Sequence, residues 1–302
     1  MLEYSLTPNR STVFFNKTKP LMRFGINTFL FTSPFTTESV GLFKQFKKWG
    51  FDSAELAIED PAHIDPVRVK AALDKNGLVC GSVCGAFGLN RDLRGTPESQ
   101  QNSMDYVTGL MDQMTVLGCT TFAGPVYSSV GRAEAVSDKD KRTQWKLVVK
   151  NLTKLCKIAG DKGITIAIEP LNRFETDFIN TCDQALAMLA DVNSPALAIH
   201  LDTFHMNIEE KDPVKAIIKA GRNLGHFHAS GSDRGCPGND HIDWVATAAA
   251  LKKIRYNKDV AIESFTPEVK VIAKAAAIWR QIEPNNEDIA VKGLKFLKKT
   301  FK

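Results

Sequence analysis

Four segments of the chain each set a metal-competent side chain beside an apolar run. They are Glu169 in IAIEP, Asp202 in IHLDTFHMN, His228 in GHFHASGSDRG and Glu263 in VAIESF. Three carboxylates gathered at one place raise one another's pKa, and burial makes ionising them costlier still. A divalent cation removes that conflict. Three carboxylates and one imidazole suit six-coordinate Mn²⁺, Mg²⁺ or Co²⁺ better than tetrahedral, sulfur-ligated Zn²⁺. Four protein ligands leave about two positions open, which the vicinal hydroxyl and carbonyl of a sugar would fill. Taken singly, each residue has a plainer reading. A Glu at a strand end commonly caps a helix or faces solvent, and a His in an apolar strand is commonly a hydrogen-bonded core residue. Recurrence on four successive runs is what favours the metal.

A second set of polar residues follows at short offsets. Glu175 lies six after Glu169, His205 three after Asp202 and Arg234 six after His228. Each falls just beyond a ligand-bearing run, in a loop, where substrate contacts belong. Arg234 alone would be an exposed loop arginine; beside the other two it is a donor to a substrate oxygen. Asn172 and Arg173 stand in the same stretch and take no role from the pattern.

Something must bring these residues together. Strand-type runs occupy 24–32, 52–59, 78–87, 119–127, 164–170, 196–204, 224–230 and 259–265, and helical periodicity fills the intervals, as in 40–50 and 145–163. Gly50, Gly77, Gly118 and Gly163 each close a helical stretch shortly before the next strand, where left-handed caps belong. Strict strand–helix alternation makes a parallel sheet. Eight such units in this length predict a closed (β/α)8 TIM barrel, an α/β single domain, rather than a doubly wound open sheet. The expected division is an N-terminal extension at 1–22 and a barrel catalytic domain at 23–302 that includes C-terminal helices. In such a barrel the reactive groups sit at the C-terminal ends of strands, so the four ligand candidates converge on one rim.

Composition narrows the partners. Of 302 residues, 43% are hydrophobic and 24% charged, with a net charge of +5. Part of that excess lies in KGLKFLKKTFK at 292–302, expected to be a final helix with a basic outer face. A nucleic-acid groove would be more basic and more concentrated. No stretch approaches the ~18 apolar residues of a membrane span, and no secretory signal is evident, so neither a nucleic acid nor a membrane is an expected partner. No glycine-rich phosphate loop follows a strand. Six scattered cysteines without a CxxC pair fit a reducing, cytoplasmic setting.

The segments IEPLNRFET, HLDTFHMNIEE, HFHASGSDRGCPGNDHIDW and IESF resemble the signature blocks of the D-tagatose/D-psicose (D-allulose) 3-epimerase family, one group of the xylose-isomerase-like barrels. VCGAFGLNRDL at 83–93 and GPVYSSVG at 124–131 resemble its loops after the third and fourth strands, and the likeness spans about 23–282. The resemblance implies a metal-dependent isomerase that inverts C3 of a free ketose of the D-psicose/D-fructose, D-tagatose/D-sorbose or L-ribulose type. It implies that Glu169, Asp202, His228 and Glu263 hold the metal, Mn²⁺ first and Co²⁺ or Mg²⁺ as alternatives. By the same likeness Glu169 and Glu263 form the acid/base pair, and Glu175, His205 and Arg234 hold the ketose near O1, O2 and O3. Phe29, Tyr127 and Phe265 would shape the far end of the pocket, and the assembly would be a homodimer or homotetramer. Residues 1–22 match no family feature.

Epimerisation beside a carbonyl needs a proton taken from one face and returned to the other through an enediolate. Two carboxylates on opposite sides of the sugar suit that task, and a divalent cation across O2 and O3 stabilises the charge. An aldose–ketose or hydroxypyruvate-type isomerase could use nearly the same metal site. A metal-dependent abasic-site endonuclease would cluster more metals and more histidines. A non-catalytic sugar-binding barrel would not need two facing carboxylates.

Overall fold

Eight parallel strands pair in chain order and the eighth closes on the first, which makes a barrel. The computed structural model describes residues 22–301. The expectation of an extension at 1–22 therefore lies outside the described residues, Met22 apart. The strands are β1 (Arg23–Asn27), β2 (Ser53–Ile58), β3 (Val79–Gly85), β4 (Thr121–Gly124), β5 (Thr165–Ile168), β6 (Leu197–Asp202), β7 (Leu224–Ala229) and β8 (Asp259–Ile262). The closed barrel expected from strand–helix alternation is thus present.

The helices are α1 (Leu42–Trp49), α2 (Pro66–Asn76), α3 (Pro97–Leu117), α4 (Asp138–Asp161), α5 (Cys182–Val192), α6 (Thr203–Glu209), α7 (Pro213–Ala220), α8 (Trp244–Lys253), α9 (Lys270–Ala275) and α10 (Asn286–Thr300). Gly50, Gly77, Gly118 and Gly163 have φ of 98°, 62°, 68° and 67°. A side chain is disfavoured in that region, so glycine ends each helix and turns the chain towards the next strand. The basic tail forms most of α10, with Ile289, Leu294 and Leu297 turned into the core and Lys292, Lys295 and Lys299 outward. All six cysteines are free and buried.

Several strands are shorter than their apolar runs. The run at 24–32 stops as a strand at Asn27, because the Asn27 side chain accepts a hydrogen bond from the Phe29 N–H at 2.8 Å and starts a single 3-10 turn. The run at 119–127 yields only Thr121–Gly124, where Gly124 turns at φ 124°. Likewise β5 and β8 end at Ile168 and Ile262, so Glu169 and Glu263 are the first residues past their strands.

Strands β2, β6 and β7 are buried along their whole length, as strands covered on both faces are. Their inward positions are nevertheless polar: Glu55, His200, Asp202, His226 and His228. The ladder slips by one residue between Ala54 and Glu55 against β3, and between Ile199 and His200 against β7. Such irregularities re-aim side chains, and both fall beside the polar interior.

The loops above the barrel are tied by buried Arg94. Its guanidinium donates to Ser128 Oγ at 2.9 Å, Gln144 Oε1 at 3.1 Å and the Arg132 carbonyl at 2.9 Å, and pairs with Asp177 at 2.6 Å. Loops following β3, β4 and β5 are joined through one cation.

Candidate active site

The strand ends bring Glu169, Asp202, His228 and Glu263 to one point. Each offers a ligand atom, and these atoms lie within 4.8 Å of one another. All four residues are buried, between 0% and 6% exposed. His228 Nδ1 is 3.2 Å from Glu263 Oε2 and 3.7 Å from Asp202 Oδ2. Glu169 Oε1 and His228 Nδ1 are buried with no hydrogen-bond partner among the described residues. Buried polar atoms are nearly always partnered, so two such atoms facing one cluster of carboxylates fit a bound divalent cation. Three oxygens and one nitrogen fit Mn²⁺, Mg²⁺ or Co²⁺.

Glu169 is held by its backbone. Its N–H donates to the Gly124 carbonyl at 3.1 Å, and the Tyr127 hydroxyl sits 2.7 Å from the Glu169 carbonyl and 3.0 Å from that of Ile179. Tyr127, expected to shape the pocket, thus places its hydroxyl under the strand end. Phe29 and Phe265 pack in one small apolar cluster with Ile272 and Ile278.

Arg234 was expected to reach a substrate oxygen. Its NH1 donates to Asp202 Oδ2 at 2.6 Å and to Glu263 Oε2 at 2.9 Å, so the guanidinium caps two of the three cluster carboxylates. Its backbone is left-handed, with φ of 68° in the turn Ser232–Gly235. Phe204 and Phe265 flank it, with ring centroids 4.3 and 5.0 Å from Cζ. NH2 lies 2.8 Å from His205 Nε2. Glu175 is half-buried, and its Oε1 accepts a 2.7 Å hydrogen bond from Asn172.

Asn172, without a role in the sequence pattern, also donates its backbone N–H to His205 Nδ1 at 3.0 Å, so it supports both Glu175 and His205. Arg173 points outward and pairs with Glu209 at 2.9 Å. A cavity of about 600 Å³ is lined by Asn172, Glu175 and Arg234 together with Phe174, Phe204 and Trp279.

Charge is distributed unevenly. Burial and the neighbouring Glu263 push Glu169 well above the usual carboxylate range. Burial also opposes ionisation of Asp202, but Arg234 and His228 outweigh it and hold that carboxyl far below its ordinary value. Burial and the Arg234 charge bring His205 down to about 3, so its ring is neutral near pH 7.

Three further polar residues lie beneath the cluster. Glu55 Oε1 is 2.7 Å from His228 Nε2 and its Oε2 is 2.6 Å from His226 Nε2. His200 packs against both imidazoles, with Nδ1 3.5 Å from Glu169 Oε2. The period of a strand could have pointed to two of them, since His200 and His226 precede Asp202 and His228 by two positions and share their faces. Glu55 carries no such signal, because it arrives from the opposite side of the barrel.

Known proteins share this arrangement of chain. The family model described as xylose isomerase-like TIM barrel matches residues 43–300. A probable ketose 3-epimerase of Synechocystis sp. is 34% identical over 290 residues, covering 93% of this chain and 98% of that one. The chain belongs to the ketose 3-epimerases of the xylose isomerase-like barrels. It is accordingly an isomerase, as the motif resemblance implied. An L-ribulose 3-epimerase of Methylomonas sp. is 32% identical, covering 83% of this chain and 88% of the relative. The crystal structure of a D-allulose 3-epimerase from Methylomonas sp. in complex with D-allulose superposes with a TM-score of 0.85 at 29% identity, over 93% of this chain and 98% of that one. In this chain the resemblance-bearing segments IEPLNRFET, HLDTFHMNIEE and IESF all border the buried cluster.

Proposed function

We propose that this chain inverts C3 of a free ketose, with Glu169 and Glu263 as the two proton carriers and residues 23–302 acting as one catalytic domain. The supporting observation is the pair itself: two buried carboxylates, from β5 and β8, meet in one cluster with Asp202 and His228. One carboxylate suffices to move a proton between C1 and C2 on a single face. Two serve a reaction that removes a proton from one face and replaces it from the other. D-Allulose and L-ribulose, named for the relatives, set the substrate class: a free ketohexose or ketopentose.

Glu169, Asp202, His228 and Glu263 would hold the divalent cation, Mn²⁺ in this proposal. When bound it supplies Lewis-acid stabilisation of the negative charge that develops on the substrate's carbonyl oxygen. The chain's own groups do the rest. Glu169, pushed towards the protonated form by burial, returns a proton at C3 from one side. Glu263, accepting from Arg234 and Asn27, removes it from the other when the ketose runs in that direction. His205 and Glu175 fix the C1–C3 end, both steadied by Asn172. Phe204 and Phe265 keep water from the guanidinium of Arg234.

Incubating the protein with D-allulose and Mn²⁺ in deuterium oxide tests this, with products followed by NMR. D-Fructose carrying deuterium at C3 is the expected product. Deuterium at C2 of an aldose product would identify an aldose–ketose isomerase instead.

A further inference from the structure

The buried groups behind the site converge on one atom of one ligand. Glu55 stands on β2, 1% exposed, and reaches His228 on β7 through the barrel interior. A carboxylate only accepts hydrogen bonds, so His228 must carry its hydrogen on Nε2 to meet Glu55 Oε1 at 2.7 Å. In the neutral ring that a cation requires, the lone pair is then on Nδ1, the atom that faces Glu263 Oε2 and Asp202 Oδ2. Glu55 is itself fixed from three further directions: His226 Nε2 at 2.6 Å on Oε2, the Asn27 amide at 2.6 Å on Oε1, and the Ser82 hydroxyl on Oε2.

Core packing has no use for this carboxylate. It adds a fourth negative charge beneath three others, where an apolar side chain would be cheaper to bury. A group that must present one ring nitrogen in one direction does need it.

We infer that Glu55 is a positioning residue that sets the ring orientation and tautomer of His228, so that Nδ1 is the nitrogen offered to the cation, with His226 anchoring the carboxylate's other oxygen. This rests on the reading of Glu169, Asp202, His228 and Glu263 as a metal site. Carboxylate partners of metal-bound histidines commonly change metal affinity by about 10- to 100-fold when removed.

The test is calorimetric titration of Mn²⁺ into the metal-stripped full chain, in wild type, Glu55→Gln and Glu55→Ala. The Mn²⁺ Kd should rise about tenfold in the first variant and nearer 100-fold in the second. At saturating Mn²⁺, kcat should change less than Kd does. A residue that merely packs would lower the melting temperature and leave the Mn²⁺ Kd alone. Folded variants that bind Mn²⁺ as wild type does would overturn the inference, and so would a wild type that binds none. If neither variant folds, nitrogen-15 histidine NMR of the wild type loaded with Zn²⁺ decides: the His228 hydrogen should sit on Nε2, and a hydrogen on Nδ1 overturns the assignment. None of these readouts needs ketose turnover. A chain that shows the Kd pattern yet does not epimerise ketoses would sink the functional reading and leave this one standing.

Discussion

Asn172 meets His205 twice at the same atom: its backbone N–H and its side-chain amide both lie 3.0 Å from Nδ1 of that ring. The backbone N–H can only donate, so Nδ1 is the acceptor of that bond. The amide donates also to Glu175 Oε1 at 2.7 Å. Asn172→Ala should therefore loosen Glu175 more than His205, whose backbone partner survives. Losing a hydrogen bond to a charged group costs about 1.5–3 kcal/mol. We expect kcat/KM for D-allulose to fall at least about tenfold, mainly through KM. A change under twofold would return Asn172 to a loop-ordering role.

Glu169→Gln and Glu263→Gln test the proton carriers. Each keeps the shape and the buried position but cannot carry the proton. Loss of a positioned acid or base commonly costs about 10²–10⁴-fold in rate. Exchange of the C3 hydrogen with solvent, measured in deuterium oxide, should drop by that order in both variants while circular dichroism stays that of wild type. Undiminished exchange in either one means another group moves the proton.

Chelation should abolish activity, and added Mn²⁺ should restore it. The same ion should protect the fold, because a ligand at 100 times its Kd adds about 2.7 kcal/mol of stability. Thermal unfolding in EDTA and in Mn²⁺ reads that difference directly. Full activity in a metal-free preparation would refute the assignment of the cluster.

His205 predicts a pH slope. The folded ring titrates near 3 and an unfolded one near 6.5, because burial and Arg234 disfavour its charged form. Between those values the unfolded chain holds the extra proton, so stability is present above about 6.5 and is lost as pH falls towards 3. The slope from this group is at most ~1.4 kcal/mol per pH unit. Denaturant unfolding of EDTA-treated protein between about pH 4 and 7 should be less pH-dependent in His205→Gln than in wild type. Parallel slopes would contradict the burial argument.

Arg94→Ala should cost more than a surface arginine would. Its side chain is 0% exposed and pairs with Asp177 at 2.6 Å. Removing one partner of a buried pair leaves the other uncompensated, at about 3–5 kcal/mol. Arg94→Lys keeps the charge but not the planar fork that meets Ser128, Gln144 and Arg132 together, so it should rescue only part of the loss. Denaturant midpoints for the two variants check both statements.

The barrel was legible because strand–helix alternation and the helix-ending glycines are local signals. Glu169, Asp202, His228 and Glu263 were legible because each sits at the same level of its unit, and closure turns equal level into proximity. Strand length was less so, since Asn27 ends β1 through its own side chain although the apolar run continues. Asn172 was missed because its value depends on Glu175 and His205 folding back on either side of it. Glu55 was missed because its partners, His226 and His228, lie more than 170 positions away, a pairing that only the closed barrel creates.

Tyr127 also ties a loop shut. Its hydroxyl sits against the carbonyls of both Glu169 and Ile179, and the Leu171 N–H adds a 3.1 Å bond to Ile179. The stretch from Glu169 to Ile179 is thus a loop cinched at its neck, with Glu175 near the tip. Reshaping the tip to suit a longer or shorter sugar leaves the neck, and with it the Glu169 carboxylate, where it was. Substrate range and proton transfer can then drift independently, and variant libraries at the exposed tip residues Arg173 and Phe174, which leave Asp177 paired with Arg94, are the economical place to look for altered ketose preference.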